Sequence, residues 1–430
     1  MSRRWRALLV AVGALAVLGG GAAFAYFEFV KAPEDVRNED VEFEDTGDGE
    51  KKKKKKRKAE DFVWPTYGYT PERTRYLDAD IKPPFKRLWK IGGSELIEFQ
   101  PILANETLYL VRNDGLALAV DAKTGEKLWR KRTGSLNASS PAYSKGRLYI
   151  VSLSGRITSL DAKTGKTLWR KELPSRTESS PIVLGGRVYF GSEDGTVYAM
   201  RARNGRTLWT YKAAGAVKSS LAYSKGRFYF GDYAGDVTAI SERDGKKIWS
   251  AATSGRAFGR SGRFYSTPAV AYGRVYLGNT DSKVYSFSAR TGELAWTRTT
   301  GGFVYAGPAV ANVPGTKPTV YIGSYDNNFY AYDARTGDTR WKHKSGGRIS
   351  GAATVIGRIV YFADLDSKST TGLDVDSGKV VFRFSRGAYN PAISDGERLY
   401  ITGYSSQFGL EPKRKPDGSK KKRKRRKKDD

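Results

Sequence analysis

A nine-residue phrase ending in tryptophan returns at a nearly constant interval along this 430-residue chain. No other feature constrains its fold as tightly. The phrase reads DAKTGEKLW at 121–129, DAKTGKTLW at 161–169, RARNGRTLW at 201–209 and SERDGKKIW at 241–249. It continues as SARTGELAW at 288–296 and DARTGDTRW at 333–341, with a weaker copy, DVDSGKVVF, at 374–382. With the isolated Trp89 of FKRLWK included, the aromatic positions are spaced by 40, 40, 40, 40, 47, 45 and 41 residues. A fixed period of this length is the mark of an array in which each unit buries its apolar surface against its neighbours.

Each period has the same internal grammar. A small-residue and proline segment (SSPAYS, SSPIVL, STPAVA) leads through a Gly turn to an alternating segment (RLYIVS, RVYFGS, RFYFGD, RVYLGN). A second Gly turn introduces another segment (TVYAMR, DVTAIS, KVYSFS), and the Thr-Gly turn introduces the one that ends in Trp. Short apolar-polar runs punctuated by glycine predict antiparallel hairpins. Four strands per period match one blade of a β-propeller. Residues 101–382 hold seven complete periods. The leftovers are one strand at 85–91 and three at 390–410, which make an eighth blade if the chain ends meet in it. Such joining removes both free sheet edges. The expected fold is therefore all-β: an eight-bladed propeller of four-stranded antiparallel blades over 62–412, closed by an N-terminal strand in the last blade, with an N-terminal transmembrane helix before it. Turn glycines and tryptophans are assigned to structure, because a positive φ and a large packed ring explain them.

The blade phrase A-x-x-G-x-x-x-W resembles the tryptophan-docking motif of the pyrroloquinoline-quinone (PQQ-like) propellers, over about 62–412. The opening WPTYGYTPERTRY at 64–76 is similar to the start of such domains. That family includes quinoprotein alcohol dehydrogenases and the propeller subunit of the outer-membrane barrel assembly machinery. The resemblance implies either a quinone site with a calcium ion, a catalytic Asp and often an adjacent cysteine pair, or a binding scaffold. The chain has no cysteine, so the cysteine pair is absent, as is the lipobox cysteine of the assembly subunit. Large insertions between blades are also missing. Asp232, Asp281 and Asp326 each follow a second strand, where capping the turn is the expected role.

Ahead of the repeat, Arg3, Arg4 and Arg6 (in residues 1–6) precede an uncharged stretch, Ala7 to Phe27. Its 21 residues suffice for a membrane-spanning helix. The basic flank on one side and the acidic flank (Glu34, Asp35, Glu39, Asp40, Glu42, Glu44, Asp45) on the other predict a single-pass anchor at 7–27 with the propeller outside the cytoplasm. Cleavage near Ala25, after Ala23-Phe24-Ala25, is the alternative and leaves the propeller secreted. Residues 28–61 are expected to be a disordered charged linker, and 413–430 a disordered basic tail.

The net charge of +30 divides into +1 for residues 1–61 (13 basic, 12 acidic), +9 for 413–430 (12 basic, 3 acidic) and +20 for the remainder. A basic body and tail favour a polyanion, whether acidic lipid, anionic cell-wall polymer, nucleic acid or an acidic protein, and charge alone does not choose among them. An exported protein makes nucleic acid an unexpected one. One histidine, His343, argues against imidazole-based catalysis, and no cofactor, metal or enzymatic activity is expected. The function expected first is a non-catalytic scaffold or adaptor for a protein partner at the propeller rim. The alternatives are a binder of anionic cell-surface polymer and a PQQ-dependent dehydrogenase-like enzyme.

The loops after each Trp strand emerge on one rim. The position three before each proline, or its equivalent, places Glu98, Ala138, Glu178, Lys218, Tyr265, Tyr305, Ser350 and Ala388 around the axis. The same loops carry Arg176, Arg348 and Arg386, and a seven-residue-longer loop at 250–266 adds Arg256, Phe258, Arg260 and Arg263. Basic residues interleaved with aromatics suit a polyanion or a peptide.

Overall fold

A computed structural model describes residues 34–44, 61–253, 262–390 and 392–413. The expected anchor at 7–27, most of the linker and nearly all of the basic tail lie outside the described residues. Among the described residues no helix is long and apolar enough to cross a membrane.

Eight antiparallel blades surround an axis. In blade 1 the strands, from the axis outward, are Ile102–Ala104, Thr107–Val111, Leu116–Asp121 and Lys127–Arg132. Blades 2 to 7 repeat this order. Blade 8 is composite: Ala392–Ser394, Leu399–Thr402 and Ser406–Pro412 come from the C-terminal end, and Phe85–Gly92 closes the outer edge. That closing strand pairs antiparallel with Ser406–Pro412 from Phe85↔Pro412 to Gly92↔Ser406. The ring closes as expected.

The second and third strands depart from the alternation read in the sequence. In Arg187–Gly191, for example, the four residues after Arg187 are all buried. Each blade lies between two neighbours, so both faces of its middle strands are covered and no polar face is needed. The outermost strands, such as Lys127–Arg132, keep an exposed face.

Adjacent blades are fastened by the repeated tryptophan. Trp129 Nε1 donates to the Ala162 carbonyl of the next blade across 2.9 Å, and Trp296 Nε1 to the Ala334 carbonyl across 3.1 Å. The indole lies against the turn glycine of that next blade. At Gly165, with φ of +68°, an added Cβ would stand 2.8 Å from the Trp129 ring. This glycine is required both for its backbone conformation and for the ring's approach.

The segment 61–77 fills the axis. Val63–Trp64 pairs with the innermost strand of blade 1. The carbonyls of Pro65, Pro71, Glu72, Thr74 and Arg75 then accept hydrogen bonds from the N–H groups of Tyr143, Tyr223, Val270, Val310 and Val355, in blades 2, 4, 5, 6 and 7. Thr66 Oγ1 donates to Pro181 O at blade 3, and the Tyr67 hydroxyl to Asn390 Oδ1 at blade 8. The innermost strands thereby pair edges that would otherwise face a channel. Arg73 and Arg75 are fully buried in this segment. Arg73 donates to Leu221 O, Ser180 O, Thr66 Oγ1 and Tyr67 O. Burial, with Arg75's like charge, pushes its guanidinium down to about 9.

Residues 34–44 correct the expected disordered linker over that stretch. They form a strap along the outer edge of blade 5. Asn38 N–H donates to Ala295 O, Thr297 N–H to Val36 O, and Glu44 N–H to Tyr272 O. Asp35 pairs with Lys283 at 3.0 Å, Phe43 stacks on Tyr272, and Val41 is buried. Asp35, Glu42 and Glu44 find cationic partners on the folded ring in Lys283, Arg290 and Lys225.

Candidate functional site

One face of the ring is built from two loops per blade, locked together by a recurring bond. The turn after the second strand donates an N–H to the carbonyl of the loop that enters the blade. The pairs are Asn113 to Leu96, Leu153 to Leu136, Glu193 to Arg176, Tyr233 to Ala216, Thr280 to Arg263, Tyr325 to Phe303 and Leu365 to Arg348, at 2.8–3.2 Å. The face is consequently a set of fixed positions on a rigid scaffold.

Nearer the axis runs a belt of small polar side chains. Ser140 N–H donates to Ser180 Oγ, Ser180 N–H to Ser220 Oγ, and Ser220 N–H to Thr267 Oγ1, at 3.0, 2.9 and 3.1 Å. Blade 6 has Gly307 at this position. An added Cβ there would stand 2.8 Å from Arg75 Nη2, so the missing side chain makes room for the buried arginine.

Glu98, Lys218, Tyr265, Tyr305 and Ser350 converge, as the register predicted, on an axial cavity of about 30 Å³. Tyr67 forms part of its lining. Lys218 Nζ lies 2.8 Å from Glu178 Oε1 and 3.2 Å from Glu193 Oε1, and the Tyr265 hydroxyl donates to Glu178 Oε2 at 3.0 Å. Glu98 Oε2 accepts from Asn113 Nδ2 at 3.0 Å. Burial lowers Lys218, but the hydrogen bond and charge of Glu178, together with Tyr233 and Glu193, outweigh it and hold the ammonium above its ordinary range. Burial raises the Glu98 carboxyl, and Glu178's charge adds to this against the Asn113 bond and Lys218.

The other expected positions divide. Arg176 leans outward onto Glu193 at 2.9 Å, and Arg348 onto Asp366 at 2.7 Å. The Arg263 guanidinium lies over the Tyr233 ring, 5.5 Å from its centroid. Arg386 is exposed on the same loop set. Ala138 and Ala388 are buried and present nothing to the cavity. Arg256, Phe258 and Arg260 lie outside the described residues. Asp232, Asp281 and Asp326 cap turns: Asp232 Oδ1 accepts the N–H groups of Ala234 and Asp236, Asp281 that of Lys283, and Asp326 that of Asn328.

Two groups were missed in the sequence. Tyr67 arrives from the aperiodic segment, and no spacing pointed to it. Leu136 and Phe303, 53% and 48% exposed, were legible by register. They stand two residues before the axial position, the place held by Arg176, Arg263, Arg348 and Arg386 in other blades. The rim is thus a ring of arginines interrupted by exposed apolar side chains.

The axis does not fit a quinone cofactor with its cation. A pocket for a ligand of that size runs to several hundred Å3, against about 30 Å³ here. Among the described residues no group of three or more carboxylate or imidazole side chains is gathered to hold a metal.

A family profile described as outer membrane protein assembly factor BamB matches residues 113–312 and 304–403. Among curated protein sequences none matches significantly. Among solved structures, BamB from Moraxella catarrhalis aligns with 17% identity and a TM-score of 0.62, over 76% of this chain and all of that one. A europium-containing methanol dehydrogenase aligns with 13% identity and a TM-score of 0.69, over 83% of this chain and 99% of that one. A computationally designed protein, Ika8, aligns with 15% identity and a TM-score of 0.64, over 76% of this chain and all of that one. At these identities the structural likeness shows the fold alone.

Proposed function

Because the chain belongs to the PQQ-like repeat family whose profile is described as outer membrane protein assembly factor BamB, we propose that its propeller is a non-catalytic scaffold that docks a protein partner on the loop face. The observation that carries this reading is the rim itself. Leu136, Phe303 and Tyr404 are 53%, 48% and 43% exposed on loops held rigid by backbone bonds, with arginines between them. Apolar anchors with arginine, on a surface that needs no reordering to bind, are the composition of a protein interface. The tight axis, filled from within by residues 61–77, leaves the outer loops as the surface on offer.

The export reading accompanies this proposal and rests on the sequence of residues 1–45: a single-pass anchor at 7–27, or cleavage near Ala25, puts the ring outside the cytoplasm. The test is capture from membrane and cell-envelope extracts, comparing the native chain with a Leu136→Asp/Phe303→Asp variant at low and high salt. A defined partner that survives high salt and is lost in the variant supports docking. Binding that disappears with salt and ignores the variant supports the anionic-polymer alternative. Reduction of a dye acceptor by the protein loaded with pyrroloquinoline quinone and calcium, with an alcohol as donor, would support the dehydrogenase alternative.

A further inference from the structure

Resting on the reading of the loop face as a docking surface, we propose that the axial cavity receives the ammonium group of a lysine side chain from the docked protein, with Glu98 as its counter-ion. Three observations carry this.

The first is an unequal pairing of charges. Glu193 has Arg176 and Lys218 as partners, and Glu178 has Lys218 and the Tyr265 hydroxyl. Glu98 has the Asn113 amide, which engages only Oε2. Among the described residues no cation makes an ion pair with it. Of Glu98, Glu178 and Glu193, Glu98 is the one whose carboxylate no described cation reaches at ion-pair distance, although Lys218 lines the same cavity. An incoming cation is matched there by a carboxylate without an ion pair, on a face whose arginines repel it, which makes the cavity a register point for a partner.

The second is the wall. Phe99, Tyr265, Tyr305 and Tyr389 line the opening, with Tyr67 set edge-on to Phe99 at 5.4 Å and Tyr305 edge-on to Tyr265 at 5.9 Å. Tyrosine rings on this face already take cations from their own chain: Lys218 over Tyr233 at 5.5 Å and Arg348 over Tyr325 at 5.8 Å. A carboxylate among aromatic rings is the arrangement that binds an ammonium.

The third is size. A water needs roughly 10–15 Å³ of such space, so a cavity of about 30 Å³ takes a primary ammonium and its terminal methylene. A planar guanidinium, with twice as many heavy atoms, does not enter it. The source is a protein, because a free amine would leave Leu136 and Phe303, exposed on the same loop face, uncovered.

The probe is a blocked tripeptide, acetyl-Gly-Lys-Gly-amide, titrated into the full chain with 13C-labelled tyrosines and followed by NMR. Resonances are assigned with Tyr265→Phe and Tyr389→Phe. Saturable shifts at Tyr265 and Tyr389 are expected, with no saturation for the Nε-acetyl-lysine or arginine peptides. Glu98→Gln is expected to weaken binding about tenfold or more. Equal responses to the lysine and Nε-acetyl-lysine peptides in the native chain overturn the proposal without reliance on any variant. So does unchanged affinity in Glu98→Gln. Leu136→Asp/Phe303→Asp is expected to keep the tripeptide response while losing the protein partner. If the tripeptide binds but no partner depends on the rim, the docking reading falls and takes with it the protein origin of the lysine. If a rim-dependent partner is captured but the tripeptide does not bind, docking stands and the lysine pocket is wrong.

Discussion

The phenol of Tyr265, from blade 5, donates to Glu178 Oε2, from blade 3, across 3.0 Å, passing over Lys218 of blade 4, which holds the other carboxylate oxygen at 2.8 Å. Three consecutive blades are thus tied at the axis by side chains 40 and 87 positions apart in sequence. A hydrogen bond to a charged group contributes about 1.5–3 kcal/mol. Tyr265→Phe is expected to lower stability by that amount in urea unfolding, with an unchanged denaturant slope. A null effect would show that the axis is not a mechanical tie.

Trp296 is fully buried beneath the strap, whereas Trp129 sits at an open blade junction and is only partly buried. Replacing a large buried aromatic by alanine costs about 3–5 kcal/mol. Trp296→Ala is expected to reach that range and Trp129→Ala to fall below it, as read by thermal unfolding. The reverse order would contradict strap coverage.

At Gly307, copying the belt pattern of the other blades suggests that a side chain would be tolerated. The buried Arg75 Nη2, 2.8 Å from where a Cβ would stand, says otherwise. Overpacking a close-packed site costs about 1–3 kcal/mol. Gly307→Ala is expected to destabilise within that range, and restored stability in Gly307→Ala/Arg75→Ala relative to the sum of the singles would identify the collision.

The strap should respond to acid. Burial raises the Asp35 carboxyl, but hydrogen bonds from the Thr299 N–H and hydroxyl and from Lys283 outweigh it and hold the group below 3.8. A carboxylate depressed by folding stabilises the docked form above its unfolded pKa and loses that contribution as pH falls through the folded value. Amide-exchange protection of Asn38 and Thr297 is therefore expected to hold near neutrality and decline below pH 3.8 before the propeller itself opens. Asp35→Asn should remove the acid dependence.

Arg73 donates to four oxygens at the centre of the ring. Arg73→Ala leaves those acceptors without that donor in a fully buried site, where each unsatisfied group costs about 1–3 kcal/mol. Loss of exchange protection at the Tyr143 and Tyr223 amides, which bond to the same segment, is the expected local reading.

The blade count, the tryptophan latch, the composite eighth blade and the axial register of Glu98, Lys218, Tyr265, Tyr305 and Ser350 were all legible in the linear sequence. Each follows from a pattern repeated within one period, and in a ring of repeats the neighbours of every unit are its predecessor and successor. Tertiary structure alone decided the rest. Residues 61–77 have no period, and their partners belong to every blade, from Leu103 to Asn390. Residues 34–44 are acidic enough to read as a solvated tether until folding brings Lys283 and Arg274 beside them. Which carboxylate at the axis keeps an unpaired charge depends on where Arg176, Lys218 and Tyr265 reach across blades. Those are distances that exist only after closure has brought residues far apart in the chain to a common centre.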